Sequence, residues 1–596
     1  MIIISFFLAM AVTLTAQEGK KLTILHTNDF HSHLQGFGPE SAYTPLVADN
    51  DPTFGGLARI AGIIAEVRAE NPGSTLVVDG GDCMMGTLFQ ALEPETAFQI
   101  PLMKKSGYDV VAMGNHDFDF GPEAYAGILR KASMRGEIPV ILMGNAVTDP
   151  NDPADDAFEA LLGDGLVKPW VIREVNGLKV GLFSLLGEDA DESAPYAVPI
   201  TFEKIVKAAK RMVKELMEQK CDVIICLSHS GVSKDKKGNW AGEDAELARR
   251  VKGIDVIISG HTHIYLREPL VVNGVPIVST GSSGTSIGRM DLTVTGNGVR
   301  MDSYKMIPVD DNAKGLASIQ EEIEIQKKEV DRIILEPLKL SYDMPVAEAP
   351  FLLNADELAD FHGSSLGAMM ADAIYYYVNE FGPGTDCAMV ALGVIRDPIQ
   401  PGVQSVADLF RVMSLGSGSN IVPGYPLSRL WVTGRELKNI AEILIMSSAS
   451  TPAHFCYYSH LRIDYDPEGR LLNKIRRMEY TAPDGKVTEV NTSKDDTRLY
   501  SIVANSYMLD FVGIIKKMSL GLINVVPKDS QGNPVTDMDL MVMDFNADTP
   551  GLQEGKEWLA LVRYLQQFAP VEVGGLPVIP EIYRNPPRSL AATGSK

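Results

Sequence analysis

Asp109–Gly121 reads DVVAMGNHDFDFG. The run up to Met113 has the β-branched, apolar composition of a short buried strand. It stops in a glycine-bounded turn that carries Asn115, His116, Asp117 and Asp119. A plain connecting loop needs no such density of ligating groups, whereas a metal or phosphate site does. The pattern recurs along the first 300 or so residues. After LTIL comes HTNDFHSH, with Asp29 and His31; after TLVV comes DGGD, with Asp82; after DVIICLS comes His229; after DVIIS comes GHTH, with His261 and His263. In α/β sheets the carboxyl ends of the strands are where ligand sites form, so five strand ends predict one site.

Between these runs lie amphipathic helix candidates, among them residues 56–71 and 201–220. In the second, Phe202, Ile205, Val206, Ala209, Met212, Val213 and Leu216 recur at spacings of three and four. Strand–helix alternation predicts an α/β layered architecture. A charged segment with an apolar stripe, SIQEEIEIQKKEVDRIILEP (318–337), reads as a connecting helix, and a second α/β region follows it. The final RNPPRSLAATGSK reads as a frayed tail.

The bulk numbers narrow the function. The chain has 596 residues, is 45% hydrophobic and 22% charged, and carries a net charge of −23. It is long enough for two domains. Its acidity argues against nucleic acid as a partner, yet a small phosphate ester stays open because bound metal ions supply local positive charge. The apolar stretch Ile2–Leu14 falls short of the ~20 residues needed to span a bilayer. It fits the core of a signal peptide ending near Ala16, although the usual basic segment is missing. The expectation is a periplasmic or secreted protein without a stable membrane anchor. The five scattered cysteines form no disulfide framework, and Cys221 and Cys226, taken on one strand, lie too far apart to bridge.

The donors at the strand ends are oxygen and nitrogen with no thiolate cluster, which suits Mn, Zn, Fe or a similar divalent metal. Two such ions, about 3.5–4 Å apart, form a clamp for phosphate-ester displacement. An Asp in a Gly-rich turn between the other ligands, such as Asp82, is a natural bridge. Two cations would acidify a bridging water, and the hydroxide would attack phosphorus in line; no Ser or Cys nucleophile is needed.

The blocks DFHSH, GGDCMMGT, GNHDFDFG, SHSG and GHTH resemble the signature blocks of calcineurin-like metallophosphoesterases, and with the C-terminal region the chain is similar to the 5'-nucleotidase family. The resemblance implies a four-layer α/β/β/α domain, a connecting helix and an α/β substrate-binding domain, here residues 17–315, 316–338 and 339–596 after a leader of 1–16. It implies one metal on Asp29, His31, Asp82 and His263, and a second on Asp82, Asn115, His229 and His261. His116 would face the scissile phosphate with Asp119 orienting its ring. His26 and His33 read as structural, as does Arg59, and Cys83 gets no ligand role. The implied substrate is a nucleotide.

In the C-terminal blocks the pattern breaks. Arg396 is kept, but the family Arg aligns with His362, its Asn with Ala391, its stacking Phe with Leu415 and the Asn after that with Ser417, while His460 replaces a Gly. A Gly-Gly-Asp run is missing; Tyr507 and Asp510 are the stand-ins for one aromatic and the Asp. The expected substrate contacts are therefore Arg396, Tyr507 and His362. The alternative is the same two-metal hydrolysis on a nucleotide sugar, a cyclic phosphate or a non-nucleotide ester.

Overall fold

The structure is a computed structural model and describes residues 19–38, 43–235, 237–355, 361–470, 472–509 and 525–593. The leader and Asp510 lie outside the described residues.

Two sheets stack face to face in the N-terminal half. The first has seven strands in the order Gly298–Pro308, Ser286–Thr295, Lys20–Thr27, Thr75–Asp79, Val110–Ala112, Val140–Leu142 and Val167–Lys168. From Lys20–Thr27 onward the pairing is parallel. The second runs Leu270–Val272, Val275–Val278, Val256–Ser259, Val223–His229, Leu178–Leu186 and Trp170–Val175, parallel at its centre and antiparallel at both edges.

Side chains of a strand alternate between faces, and the core follows that alternation. Leu22, Ile24, Leu76, Val78, Val110 and Ala112 point inward against Val180, Leu182, Val223, Ile225, Val256 and Ile258. The alternate set, Leu25, Val77, Val111 and Ile141, packs outward under the Leu57–Glu70 helix and its neighbours. On the far side Phe183, Ile224, Cys226 and Ile257 pack against the helix Ile205–Glu218, through Ala208, Ala209, Met212 and Leu216. The result is the expected α/β/β/α sandwich.

Three local expectations need correction. The helix begins at Ile205, because Phe202 belongs to a two-residue strand paired with Ala146. Cys221 precedes its strand, which starts at Val223; all five cysteines are free. The tail is not frayed up to Thr593: Leu590–Ala592 pairs in parallel with Ile463–Tyr465, and Leu590 is buried.

The helix Ala317–Val330 continues through a wider turn, Asp331–Leu335, into the C-terminal half. There the strands Leu427–Thr433, Leu499–Asn505, Cys387–Ala391 and Cys456–Ser459 form one sheet, covered by helices such as Ser365–Phe381. The chain just beyond the Cys387–Ala391 strand carries Arg396. The two halves meet in buried polar contacts: Gln90 Nε2 donates to the Ser414 carbonyl at 2.9 Å, and the Arg411 guanidinium lies 4.7 Å over the Phe37 ring while paired with Asp397 and Asp408. No described helix is long and apolar enough to cross a membrane.

Candidate active site

All five chemistry-bearing turns open at the same end of the sandwich. Backbone hydrogen bonds zip two of them together: Asp29 N to the Gly81 carbonyl, His31 N to that of Asp82 and Ser32 N to that of Cys83, at 2.9–3.0 Å. Asp29 reaches across to the second sheet, where Oδ1 accepts the His261 N–H at 2.9 Å. Gly114 is required for a close approach, since a Cβ there would lie 2.1 Å from Asp82 Oδ1. Gly121 instead adopts φ +78° before the helix that starts at Pro122.

The predicted ligands converge. His31 Nε2 lies 3.0 Å from His263 Nε2 and 3.9 Å from Asp82 Oδ2, and His263 Nε2 is 3.6 Å from Asp29 Oδ1. His229 Nε2 lies 3.1 Å from both Asp82 Oδ2 and Asn115 Oδ1, and His261 Nδ1 is 3.0 Å from that same Asn115 oxygen. His31 Nδ1–H donates to the Met85 carbonyl and His229 Nδ1–H to that of Gly80. Each ring therefore turns its Nε2 atom into the cluster. Lone pairs and carboxylate oxygens crowd together away from water, with Asp29, Asp82, Asn115 and His229 fully buried. Such a nest fits cations, and its oxygen–imidazole composition fits Mn, Zn or Fe. Two overlapping groups have metal-binding proximity: Asp29, His31 and His263, and Asp29, Asp82 and His229.

The electrostatics agree. Burial opposes a charge on His229, but Asp82 and then Asp29 outweigh it and raise the ring to about 10. Burial likewise opposes ionisation of Asp82, yet His229 and His116 hold it well below the usual carboxylate range. Around them, burial pulls the His31, His261 and His263 rings below the usual imidazole range, which favours the neutral form that a metal needs.

His116 sits at the rim. Its Nδ1 pairs with Asp119 Oδ2 at 2.8 Å, and its backbone N–H donates to Asp82 Oδ1 at 2.9 Å. Its ring centroid is 5.5 Å from that of His31. Burial lowers its basicity, and Asp119 more than restores it, so its pKa lies above the ordinary value. Cys83 turns to Asp117 instead. Arg59 is fully buried on Asp51, Asp311 and Thr53, and His26 bonds Tyr304.

Of the expected substrate residues, Arg396 comes within electrostatic reach of His31, His116 and His263. Tyr507 stacks on Tyr425, with centroids 5.4 Å apart and planes 19° from parallel, while His362 packs its ring edge on Phe455, 4.8 Å away. Sequence reading missed Tyr425. Its loop folds back, Tyr425 N bonding the Leu415 carbonyl, so that the ring covers Gly416; Asp119 and Tyr196 lie close enough to act on its hydroxyl. It also missed Asp189, whose Oδ2 is 3.3 Å from His261 Nε2.

Residues 22–265 match the family model described as calcineurin-like phosphoesterase, and residues 346–514 match that of the 5'-nucleotidase C-terminal domain. Fold and site together define a calcineurin-like metallophosphoesterase, a metal-dependent phosphoric ester hydrolase. The two matches span well over half of the chain, and the chain belongs to the 5'-nucleotidase family. A probable 5'-nucleotidase of Treponema pallidum (strain Nichols) is 27% identical, covering 82% of this chain and 86% of the relative. The trifunctional nucleotide phosphoesterase protein YfkN of Bacillus subtilis (strain 168) is 24% identical over 82% of this chain, which spans about a third (32%) of that longer relative. The crystal structure of a 5'-nucleotidase precursor from Thermus thermophilus shares the fold, with a TM-score of 0.69 at 21% identity over 97% of this chain and 100% of that one.

Proposed function

We propose that the chain is an exported phosphohydrolase that removes phosphate from nucleotides with two divalent metal ions. The observation that carries it is the convergence of Asp29, His31, Asp82, Asn115, His229, His261 and His263, with His116 bonded to Asp82 at the rim and Arg396 within electrostatic reach. Asp29, His31, Asp82 and His263 would hold one ion; Asp82, Asn115, His229 and His261 would hold the other, with Asp82 common to both. The ions, when bound, supply the positive charge that acidifies a water and neutralises phosphoryl oxygens.

The chain's own groups do the rest. His116 keeps one proton on Nδ1 toward Asp119, and Asp119 stabilises a second on Nε2, which is placed to protonate the leaving alkoxide. Arg396 adds charge on the substrate side of His31, His116 and His263. The half-buried Tyr507 offers a ring face to a base, backed by Tyr425, and His362 completes the proposed substrate contacts. Export rests on the apolar run Ile2–Leu14. The domain limits proposed are 17–315, 316–338 and 339–596 after a leader of 1–16.

The test is phosphate release by the purified mature chain with added Mn²⁺, on AMP, UDP-glucose, 2',3'-cyclic AMP and an aryl phosphate in parallel. Nucleotide turnover that disappears in His116→Ala is the expected result. Aryl phosphate cleavage without nucleotide turnover would remove the nucleotide assignment and leave the metal chemistry standing.

A further inference from the structure

One polar segment beside the metal residues has no part in the scheme above. Gly187–Ser193, GEDADES, leaves the end of the Leu178–Leu186 strand and forms the short helix Glu188–Glu192. It touches three site residues. Gly187 N–H donates to the His229 carbonyl at 3.0 Å. Asn115 Nδ2 donates to the Ser193 carbonyl at 3.5 Å. Asp189 Oδ2 lies 3.3 Å from His261 Nε2. Asn115, His229 and His261 are the members, besides Asp82, of one of the two proposed ligand sets.

The segment is itself held. Glu243, at the start of the helix Glu243–Arg250, accepts the backbone N–H of Glu188 on Oε2 and that of Asp189 on Oε1, both at 2.9 Å. The Asp189 side chain is 71% exposed, so burial does not force it against His261; the backbone anchored by Glu243 does. Each contact has a consequence for coordination. With the Nε2 proton of His261 taken by a carboxylate, Nδ1 is left as the lone-pair atom, and it faces Asn115 Oδ1 at 3.0 Å. With the Asn115 amide nitrogen taken by a carbonyl, Oδ1 is the atom turned to the cluster. A carboxylate behind a ligating imidazole also raises its basicity.

We infer that Asp189 is a positioning residue that fixes the tautomer of His261 and, with the Ser193 carbonyl on Asn115, builds one metal position and not the other. This rests on the two-metal reading above. The chain, stripped with chelator and exchanged into buffer at neutral pH, is titrated calorimetrically with Mn²⁺, for wild type, D189A, D189N and E243A. Wild type takes two equivalents. D189A weakens one equivalent by roughly 10–100-fold, the range for loss of a carboxylate behind a ligating His, and leaves the other within about threefold. D189N, which keeps an acceptor but not the charge, falls between, and E243A weakens the same equivalent. Because Asp189 is exposed, D189A unfolds at the wild-type temperature. Two wild-type equivalents with D189A unchanged, or with both equivalents weakened alike, overturn the inference alone. Fewer than two equivalents in wild type overturn the two-metal reading and the inference with it.

Discussion

Gly114→Ala puts the site's geometry to a sharp test, because the two glycines of GNHDFDFG are required for different reasons. A Cβ on Gly114 would meet Asp82 Oδ1 at 2.1 Å, Asp82 N at 2.5 Å and Asp82 Cγ at 2.7 Å. An ordinary contact starts near 3.4 Å, so the carboxylate must retreat by the difference, about 1.3 Å. It cannot retreat freely. Its Oδ1 accepts the His116 N–H, its Oδ2 faces His229 Nε2, and its backbone carbonyl accepts the His31 N–H. A displacement of about 1 Å in a reacting constellation costs on the order of 10²-fold in rate. The G114A chain should therefore lose about 10²-fold or more in kcat/KM and bind less metal. Gly121→Ala is the control. Its φ of +78° strains an Ala by about 1–2 kcal/mol, but the nearest atom to the new Cβ is Tyr196 O at 3.9 Å. It should unfold a few degrees lower and keep its activity within a few-fold. Kinetics, metal content and thermal unfolding on both variants make the comparison. A G114A protein with full metal content and rates within threefold of wild type would refute the claim that this glycine exists to admit Asp82.

Three further outcomes follow from particular contacts. H116A should lower kcat by roughly 10²–10⁴-fold, the usual worth of a positioned acid–base group, with metal stoichiometry unchanged; D119N, which keeps a hydrogen-bond acceptor and loses the charge, should cost less, and metal loss in either would place His116 among the ligands. R59M leaves Asp51 and Asp311 facing each other without their shared guanidinium, and breaking a buried pair costs about 3–5 kcal/mol, so its denaturation midpoint should fall well below wild type while R59M/D51N recovers part of the loss. Glu93 is fully buried and burial pushes its carboxyl up to about 8 from 4.5. The folded chain then holds a proton that the unfolded chain has released, so this group's contribution falls as pH rises from about 4.5 to 8 and stays low above it. E93Q should remove that slope and gain at pH 8–9, by a few kcal/mol at most at about 1.4 kcal/mol per unit. Equal unfolding temperatures at pH 6 and pH 9 for both proteins would dispose of it.

Much of the candidate site is legible in sequence because the proposed ligands sit at, or a few residues beyond, the ends of five strands. Once LTIL, TLVV, DVVAM, DVIICLS and DVIIS are read as strands of parallel sheets, Asp29, Asp82, Asn115, His229 and His261 must gather at one end. The residues that escape reading are those placed by the return of a distant loop. Asp189 meets His261 across 72 positions, and nothing in GEDADES separates it from an ordinary acidic surface turn. Tyr425 reaches Tyr507 only because the 415–425 loop doubles back through backbone bonds. The Leu590–Ala592 strand was hidden for a related reason: three residues among Pro, Ser and Gly give no periodicity, and the pairing is set by the strand Leu461–Arg470, which lies over a hundred residues upstream.

The backbone of the site shows why Asp and His occupy it so densely. Asp29, His31, Asp82, His261 and His263 all have left-handed backbone, with φ between +50° and +75°. Among non-glycine residues this region is uncommon, and Asp, Asn and His enter it several times more readily than others. Coordination chemistry and the reversal of the chain after each strand thus favour the same residue types. The conformations still cost on the order of 1–3 kcal/mol each, so five of them amount to a sizeable part of the 5–15 kcal/mol by which a domain is usually stable. The two packed sheets and the zipped turns must impose them. If so, a proposed ligand position should be more stable with glycine than with alanine, although neither can coordinate. His263, at φ +53° and with its side chain about one-third exposed (34%), leaves little packing to confuse the comparison. H263G should unfold at a higher temperature than H263A by the equivalent of about 1–2 kcal/mol, measured in excess chelator so that metal binding drops out. An H263A chain as stable as H263G would mean that position 263 relaxes out of the left-handed region once the imidazole is gone, and that the ligand itself, not the fold, sets the turn.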